Sequence, residues 1–140
     1  MTVLSLADTL RNNHLKATPQ RLAIYGYLVG TKTHPTVEEI YEVLKGDYPK
    51  MSLATVYKTV ASLRDSGLVN ELNAGDGSCR YDANIKPHAH IVCRKCHKVG
   101  DYDGEVISSD VRKNINAMTG FLTESEFVYF FGVCAECGKH

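Results

Sequence analysis

The feature that most constrains this chain is a pair of cysteine clamps, Cys93-Arg-Lys-Cys96 and Cys134-Ala-Glu-Cys137. Two thiolates at this spacing grip one ion, and two such pairs complete a closed tetrahedral zinc site. A shared structural Zn(II) ties the end of the chain to its middle, across residues 97 to 133. That interval is longer than in an ordinary zinc ribbon. Two other readings use the first pair alone. Cys93-Arg-Lys-Cys96-His97 matches the pattern of covalent haem attachment, which leaves Cys134 and Cys137 unexplained. Thioredoxin-like redox chemistry places its motif between a strand and a helix, and neither pair has that setting. Cys79, the fifth cysteine, reads as a spare or buried thiol.

Directly before the first clamp stands Pro87-His-Ala-His-Ile-Val-Cys93. At strand spacing His88 and His90 point to one face, so one segment serves two sites. Other ligand types lie elsewhere: His34, Asp82, and Asp101 or Asp103. Spacing alone does not assemble them. A site of imidazoles and carboxylates without thiolate suits Mn(II) or Fe(II) on ligand hardness.

Composition narrows the setting. With 140 residues, 44% of them hydrophobic, the chain can bury one modest core or two small ones. Sixteen Lys plus Arg balance sixteen Asp plus Glu, so no global positive field announces nucleic acid and any DNA contact must come from local placement. The opening Met-Thr-Val-Leu-Ser-Leu lacks a basic start followed by a long apolar run, and no later segment reaches membrane-spanning length. A cytoplasmic protein without a membrane partner is expected, and a reducing compartment favours metal over disulfides.

Leu4, Ala7 and Leu10 predict a short first helix over residues 3 to 14. Thr18-Pro19 reads as an N-cap with Pro at the first helical position, and Leu22, Tyr25, Leu28 and Val29 line a helix that stops near Gly30. Thr36-Val-Glu-Glu39 is a capping box for a third helix with Val37, Ile40, Tyr41 and Leu44 inward. Ser52 caps a fourth, whose Leu53, Val56, Val60 and Leu63 face the core before Gly67 ends it. Two short runs around a Gly-rich turn, residues 68 to 72 and 79 to 82, predict a hairpin. This order is that of a winged helix-turn-helix, in which the helix before the wing enters the major groove. Outside the apolar stripe of that helix lie Ser52, Ala54, Thr55, Tyr57, Lys58 and Thr59, which can approach phosphates and base edges unless they form an ordinary solvated face. Lys16 and Arg21 are candidate phosphate clamps.

Residues 83 to 87 read as a hinge. Strand-like runs at 89 to 92 and 98 to 103 follow, then an amphipathic helix over 105 to 118 carrying Ile107, Val111, Ile115 and Met118. Phe127-Val-Tyr-Phe-Phe-Gly-Val133 is too apolar for a strand with one exposed face, and suits a subunit interface or burial within its own domain. The expected fold class is α+β: a winged-helix DNA-binding domain over 1 to 82, then a small α/β dimerisation and zinc-binding domain over 88 to 140.

Taken together, Thr18-Pro-Gln-Arg21, His34-Pro-Thr-Val-Glu-Glu-Ile-Tyr41, Ser52-Leu-Ala-Thr-Val-Tyr57, Ser66-Gly-Leu-Val69, Arg80-Tyr-Asp82, His88-Ala-His-Ile-Val-Cys93-x-x-Cys96 and Gly132-Val-Cys134-x-x-Cys137 closely resemble the ferric uptake regulator family, in the family's order and over nearly the whole chain. The resemblance implies a metal-dependent homodimeric repressor of double-stranded operator DNA. The chain looks most like the family's peroxide-sensing branch. Matching that motif residue by residue, the regulatory site is His34, Asp82, His88, His90 and Asp101, taking Fe(II) or Mn(II). Oxidation of His34 or His88 by peroxide at the iron form then releases DNA and controls peroxide-stress genes. Asp at 82 agrees with that branch, where iron regulators usually have Glu. Pro87-His-Ala-His and Glu124-Ser-Glu126 depart from the extra site of iron regulators, and Cys79 stands where relatives more often have Ser.

The alternative within the family is an iron- or manganese-level repressor without peroxide sensing. An enzyme is not expected: four cysteines close the zinc, and the His-x-Glu of the deaminases is missing. No organic cofactor is expected. A module that binds no DNA is the remaining class.

Overall fold

Four helices in the first half of the chain each begin where a hydroxyl accepts a backbone N–H left unpaired by the first turn. Thr2 caps α1 (Val3–Asn12) through the Ser5 N–H, and Thr18 caps α2 (Pro19–Gly30) through Arg21. Thr36 caps α3 (Val37–Leu44) through Glu39, and Ser52 caps α4 (Leu53–Asp65) through Thr55. Gly67, with φ +81°, supplies the left-handed residue that turns the chain out of α4. The hairpin follows as β1 (Asn70–Asn73) and β2 (Cys79–Asp82), antiparallel, with Asn70 opposite Asp82. Its turn uses positive φ at Gly75 and Gly77.

This computed structural model describes residues 2–86 and 88–139, and the chain divides into two compact units, residues 1–85 and 86–140. Pro87, at the end of the expected hinge, lies outside the described residues. The first unit holds a continuous core in which Leu10, Ile24, Leu28, Ile40, Val56 and Leu63 are completely or almost completely buried. Each such side chain contributes about 1.5–3 kcal/mol of transfer free energy. The helical periodicity anticipated most of this core, with two corrections. Leu4 is 70% exposed, because α1 turns Leu6, Ala7 and Leu10 inward instead. Leu53 is also exposed, because the first turn of α4 projects past the core and only Val56, Thr59, Val60 and Leu63 are buried.

The second unit is a three-stranded sheet in the order β4–β3–β5, built from β3 (Ala89–Cys93), β4 (Val99–Tyr102) and β5 (Val128–Gly132). β3 pairs antiparallel with β4 and parallel with β5. A parallel partner needs a crossover, and the chain supplies it with α5 (Ser109–Thr119). The helix starts later than the expected residue 105, at the cap position Ser108, and ends at Gly120 with φ +79°. No residue of α5 is buried, and Met118 is 86% exposed. Among the described residues, no helix is long and apolar enough to cross a membrane.

Candidate metal centres and nucleic-acid interface

The parallel ladder between β3 and β5 sets Cys93 opposite Gly132. Cys134, two residues beyond, therefore arrives beside Cys93, and its backbone N–H donates to the Cys93 Sγ at 3.3 Å. Cys96 reaches the same place through the tight turn after β3, its N–H donating to the same sulfur at 3.5 Å. Cys137 follows in a single 3₁₀ turn, η1 (Cys137–Lys139). The four Sγ atoms all lie within 4.8 Å of one another, and Cys96 and Cys134 are 3.8 Å apart. A tetrahedral zinc with bonds of ~2.3 Å has sulfur–sulfur edges of ~3.8 Å, so this donor set fits zinc. The long interval between the clamps is explained by what fills it: β4, α5 and β5.

Electrostatics within the cage point the same way. Backbone N–H groups of Cys96 and Cys134 pull the Cys93 thiol down to about 5. The Cys137 thiol is pushed up to about 12, first by its hydrogen bond to Cys134 and then by burial and the other sulfurs. Four thiolates this close repel one another unless a cation sits among them. All five cysteines are free rather than disulfide-bonded. Convergence of both pairs on one cage leaves no role for a haem-attachment or redox reading of the first pair alone.

The imidazole and carboxylate candidates form a set in each unit. In the first unit the His34 Nε2 lies 3.4 Å from an Asp82 carboxylate oxygen, and both side chains are buried. In the second, His90 and Asp101 are direct partners across β3 and β4, with Nε2 3.5 Å from Oδ1. His88, just before β3, puts its Nε2 3.3 Å from the same oxygen, and the two imidazole centroids are 4.5 Å apart. The His88 Nδ1 is 2.6 Å from the Lys86 carbonyl oxygen. A carbonyl only accepts, so Nδ1 is the donor in this contact, which orients the ring with Nε2 toward Asp101 in the way that backbone carbonyls orient metal-ligating histidines. Asp101, in register with His90, is thus beside both histidines, whereas Asp103 lies past the end of β4 on an exposed rim.

On α4, Ser52, Ala54, Tyr57 and Lys58 are exposed and Thr55 is half-buried, so these candidates for DNA contact share an accessible stretch. Thr59 is buried, which removes it from the set: it follows Val56 and precedes Val60 on the inward arc of the helix. Lys16 is exposed, and its carbonyl accepts from Arg21 Nη1 at 2.8 Å, which holds the Arg21 guanidinium at the start of α2.

Four contributors were not visible in the sequence as parts of these sites. Arg80 donates to the His34 carbonyl at 3.4 Å, and Tyr81 N–H donates to the Pro35 carbonyl at 3.0 Å, so β2 pins the loop that carries His34. Tyr129 stacks on the His90 ring, with centroids 5.7 Å apart. Glu38, read only as part of a helix start, accepts a hydrogen bond from Tyr57. Each of these contacts joins residues distant in sequence, so no local pattern reports it.

Comparison with known proteins is consistent with this geometry. The model of the ferric uptake regulator family matches residues 12–131. The peroxide operon regulator of Bacillus subtilis is 40% identical over 132 residues, covering 94% of this chain and 90% of that protein. The peroxide-responsive repressor PerR of Staphylococcus aureus is 39% identical over 129 residues, covering 92% and 86%. Among solved structures, the Campylobacter jejuni peroxide stress regulator superposes with a TM-score of 0.72 at 33% identity, covering 98% of this chain and 100% of that one.

Proposed function

Because the chain belongs to the ferric uptake regulator family, we propose that it is a homodimeric, metal-dependent repressor that leaves its operator DNA when peroxide oxidises a histidine. The observation that carries this reading is a pair of hard-donor sets, one in each unit: His34 and Asp82 in the first, His88, His90 and Asp101 in the second. These five residues would hold Fe(II) or Mn(II), and the four cysteines Zn(II). Ligands drawn from both units make the DNA-binding unit's orientation depend on occupancy, so metal and operator binding are linked through their shared preference for one arrangement. Fe(II) bound there supplies the electron transfer to peroxide that Mn(II) does not. An imidazole that has gained oxygen loses its donor lone pair, and His34 or His88 then no longer helps hold the two units in register.

Dimerisation is supported by the second unit's surface. The exposed Ile115 and Met118 of α5, with Phe121, Leu122, Phe127 and Phe130, leave more apolar area in water than a small folded unit ordinarily carries. A second copy of the chain is the partner that covers it, and two winged helices then meet DNA as a symmetric pair.

The test is DNA binding by apo, Mn(II) and Fe(II) forms, each with and without peroxide, with peptide mass spectrometry on the same samples. The expected outcome is metal-dependent binding in both metal forms, with release and added oxygen on His34 or His88 in the Fe(II) form alone. Unmodified histidines and retained binding after peroxide would leave a metal-level repressor instead.

A further inference from the structure

The recognition surface proposed above carries an acidic residue whose placement needs a reason. Glu38 lies in the first turn of α3, and Tyr57 lies on α4, the helix offered to the major groove. Tyr57 is 48% exposed, yet its hydroxyl donates to the Glu38 Oε1 at 2.5 Å. Both side chains border one groove together with Arg64, Glu71 and Cys79.

A carboxylate beside a DNA-contacting side chain repels the phosphate backbone, so its presence costs affinity for every duplex alike. What it provides is direction. A phenol has one O–H, and a hydrogen bond to a charged acceptor is among the stronger ones available at a surface. With that O–H held by Glu38, Tyr57 cannot donate to a phosphate, and its ring is fixed against the α3–α4 pair with its remaining surface outward. The same bond holds the Glu38 carboxyl below its usual range, so Glu38 stays an ionised acceptor at neutral pH.

We propose that Glu38 is a positioning residue for DNA selectivity, aiming the Tyr57 ring at base edges rather than at the phosphate backbone. This rests on the DNA-binding reading above. The proposal predicts a sign opposite to that of charge alone. Removing a negative charge from a DNA-facing surface tightens binding to all duplexes; removing a positioning residue weakens binding to the chosen sequence while leaving or improving the rest.

The experiment uses the full-length, Mn(II)-loaded protein and two probes: a duplex enriched by the wild-type protein from a random-sequence pool, and a shuffled duplex of the same composition. Glu38→Ala and Tyr57→Phe are each expected to lower the enriched-to-shuffled affinity ratio by roughly tenfold. The double variant should lose no more than either single one, since both remove the same bond. Glu38→Gln, which still accepts from the hydroxyl, should keep the ratio within about threefold of wild type. The salt dependence of Tyr57→Phe binding should match wild type, because no phosphate contact is lost. Equal tightening on both duplexes by Glu38→Ala overturns the proposal, as does an unchanged ratio in Tyr57→Phe. If the wild-type protein enriches no sequence, the DNA-binding reading itself falls, an outcome distinct from either of these.

Discussion

The His34 imidazole lies 3.4 Å from the Asp82 carboxylate, both buried, although α3, α4 and the first hairpin strand separate them in the chain. His34 adopts φ +53°, in the left-handed region that costs a residue with a Cβ about 1–3 kcal/mol. Such a conformation persists only when its surroundings enforce it. Here β2 does so with three consecutive residues: Arg80 on the His34 carbonyl, Tyr81 on the Pro35 carbonyl and Asp82 on the imidazole.

Replacing either member of this pair should uncouple DNA binding from metal while leaving the zinc-dependent fold intact. We expect His34→Ala and Asp82→Ala to weaken Mn(II) binding by more than about 100-fold, beyond the loss typical of residues that only support a ligand. Calorimetric Mn(II) titration checks the affinity, and unchanged zinc content checks the fold. Wild-type Mn(II) affinity in Asp82→Ala would remove Asp82 from the ligand set.

Arg80 acts one step further out. Arg80→Ala removes the side-chain clasp on the His34 carbonyl but no ligand, so Mn(II) affinity should fall by about 10–100-fold. Arg80→Lys should recover little, since a single ammonium does not reproduce the guanidinium's spread toward His34, Glu39 and Asp76. The same titration measures both.

Removing zinc should unfold the second unit rather than merely loosen it. Among its described residues few are buried, namely Ala89, His90, Val92, Cys93 and Val99, and structural zinc sites contribute on the order of 10 kcal/mol to folding. Treatment with a strong chelator, or Cys96→Ser, should abolish the signals of β3–β5 in an NMR amide spectrum while the first unit's core signals survive. A second unit that stays folded without zinc would show that the sheet suffices alone.

Cys79 should be a poor thiol sensor despite its exposure. A hydrogen bond from its S–H to the Glu71 carboxylate, with some burial, raises the thiol above its ordinary value. A raised thiol pKa means less thiolate at neutral pH, and the thiolate is the form that reacts. Alkylation of Cys79 by iodoacetamide should therefore be slower at pH 7.5 than that of an unstructured cysteine and rise only at higher pH. Glu71→Gln should lower the pKa and speed the reaction at pH 7.5. Faster alkylation in wild type than in Glu71→Gln would reverse this account.

The apolar surface of the second unit gives a test of assembly. Phe130, in β5 and 48% exposed, should lose most of its accessible area against a second copy. Phe130→Glu would bury an unpaired charge there, which costs several kcal/mol. Light scattering is expected to report a monomer at micromolar concentration, with zinc content unchanged. A stable dimer in this variant would place the interface elsewhere.

What the sequence determined alone was whatever depends on short spacing. Hydroxyl caps at Thr18, Thr36 and Ser52, the helical stripes through Leu28, Ile40 and Leu63, and the two Cys-x-x-Cys clamps are local patterns, and each is set by geometry within a few residues. Only the tertiary structure decided which distant groups meet. The choice of Asp101 over Asp103 beside His88 and His90 follows from the β3–β4 register, which sets Asp101 opposite His90; Asp103 shares its strand face, and only a slip of two residues would bring it there. The solvent exposure of α5 reflects how little of the chain covers it, although its apolar period is that of an ordinary buried helix. Likewise, the grip of β2 on the His34 loop and the bond from Tyr57 to Glu38 exist because the core brings α3 against α4 and β2. Periodicity records which face a residue occupies; it carries no information about what lies opposite.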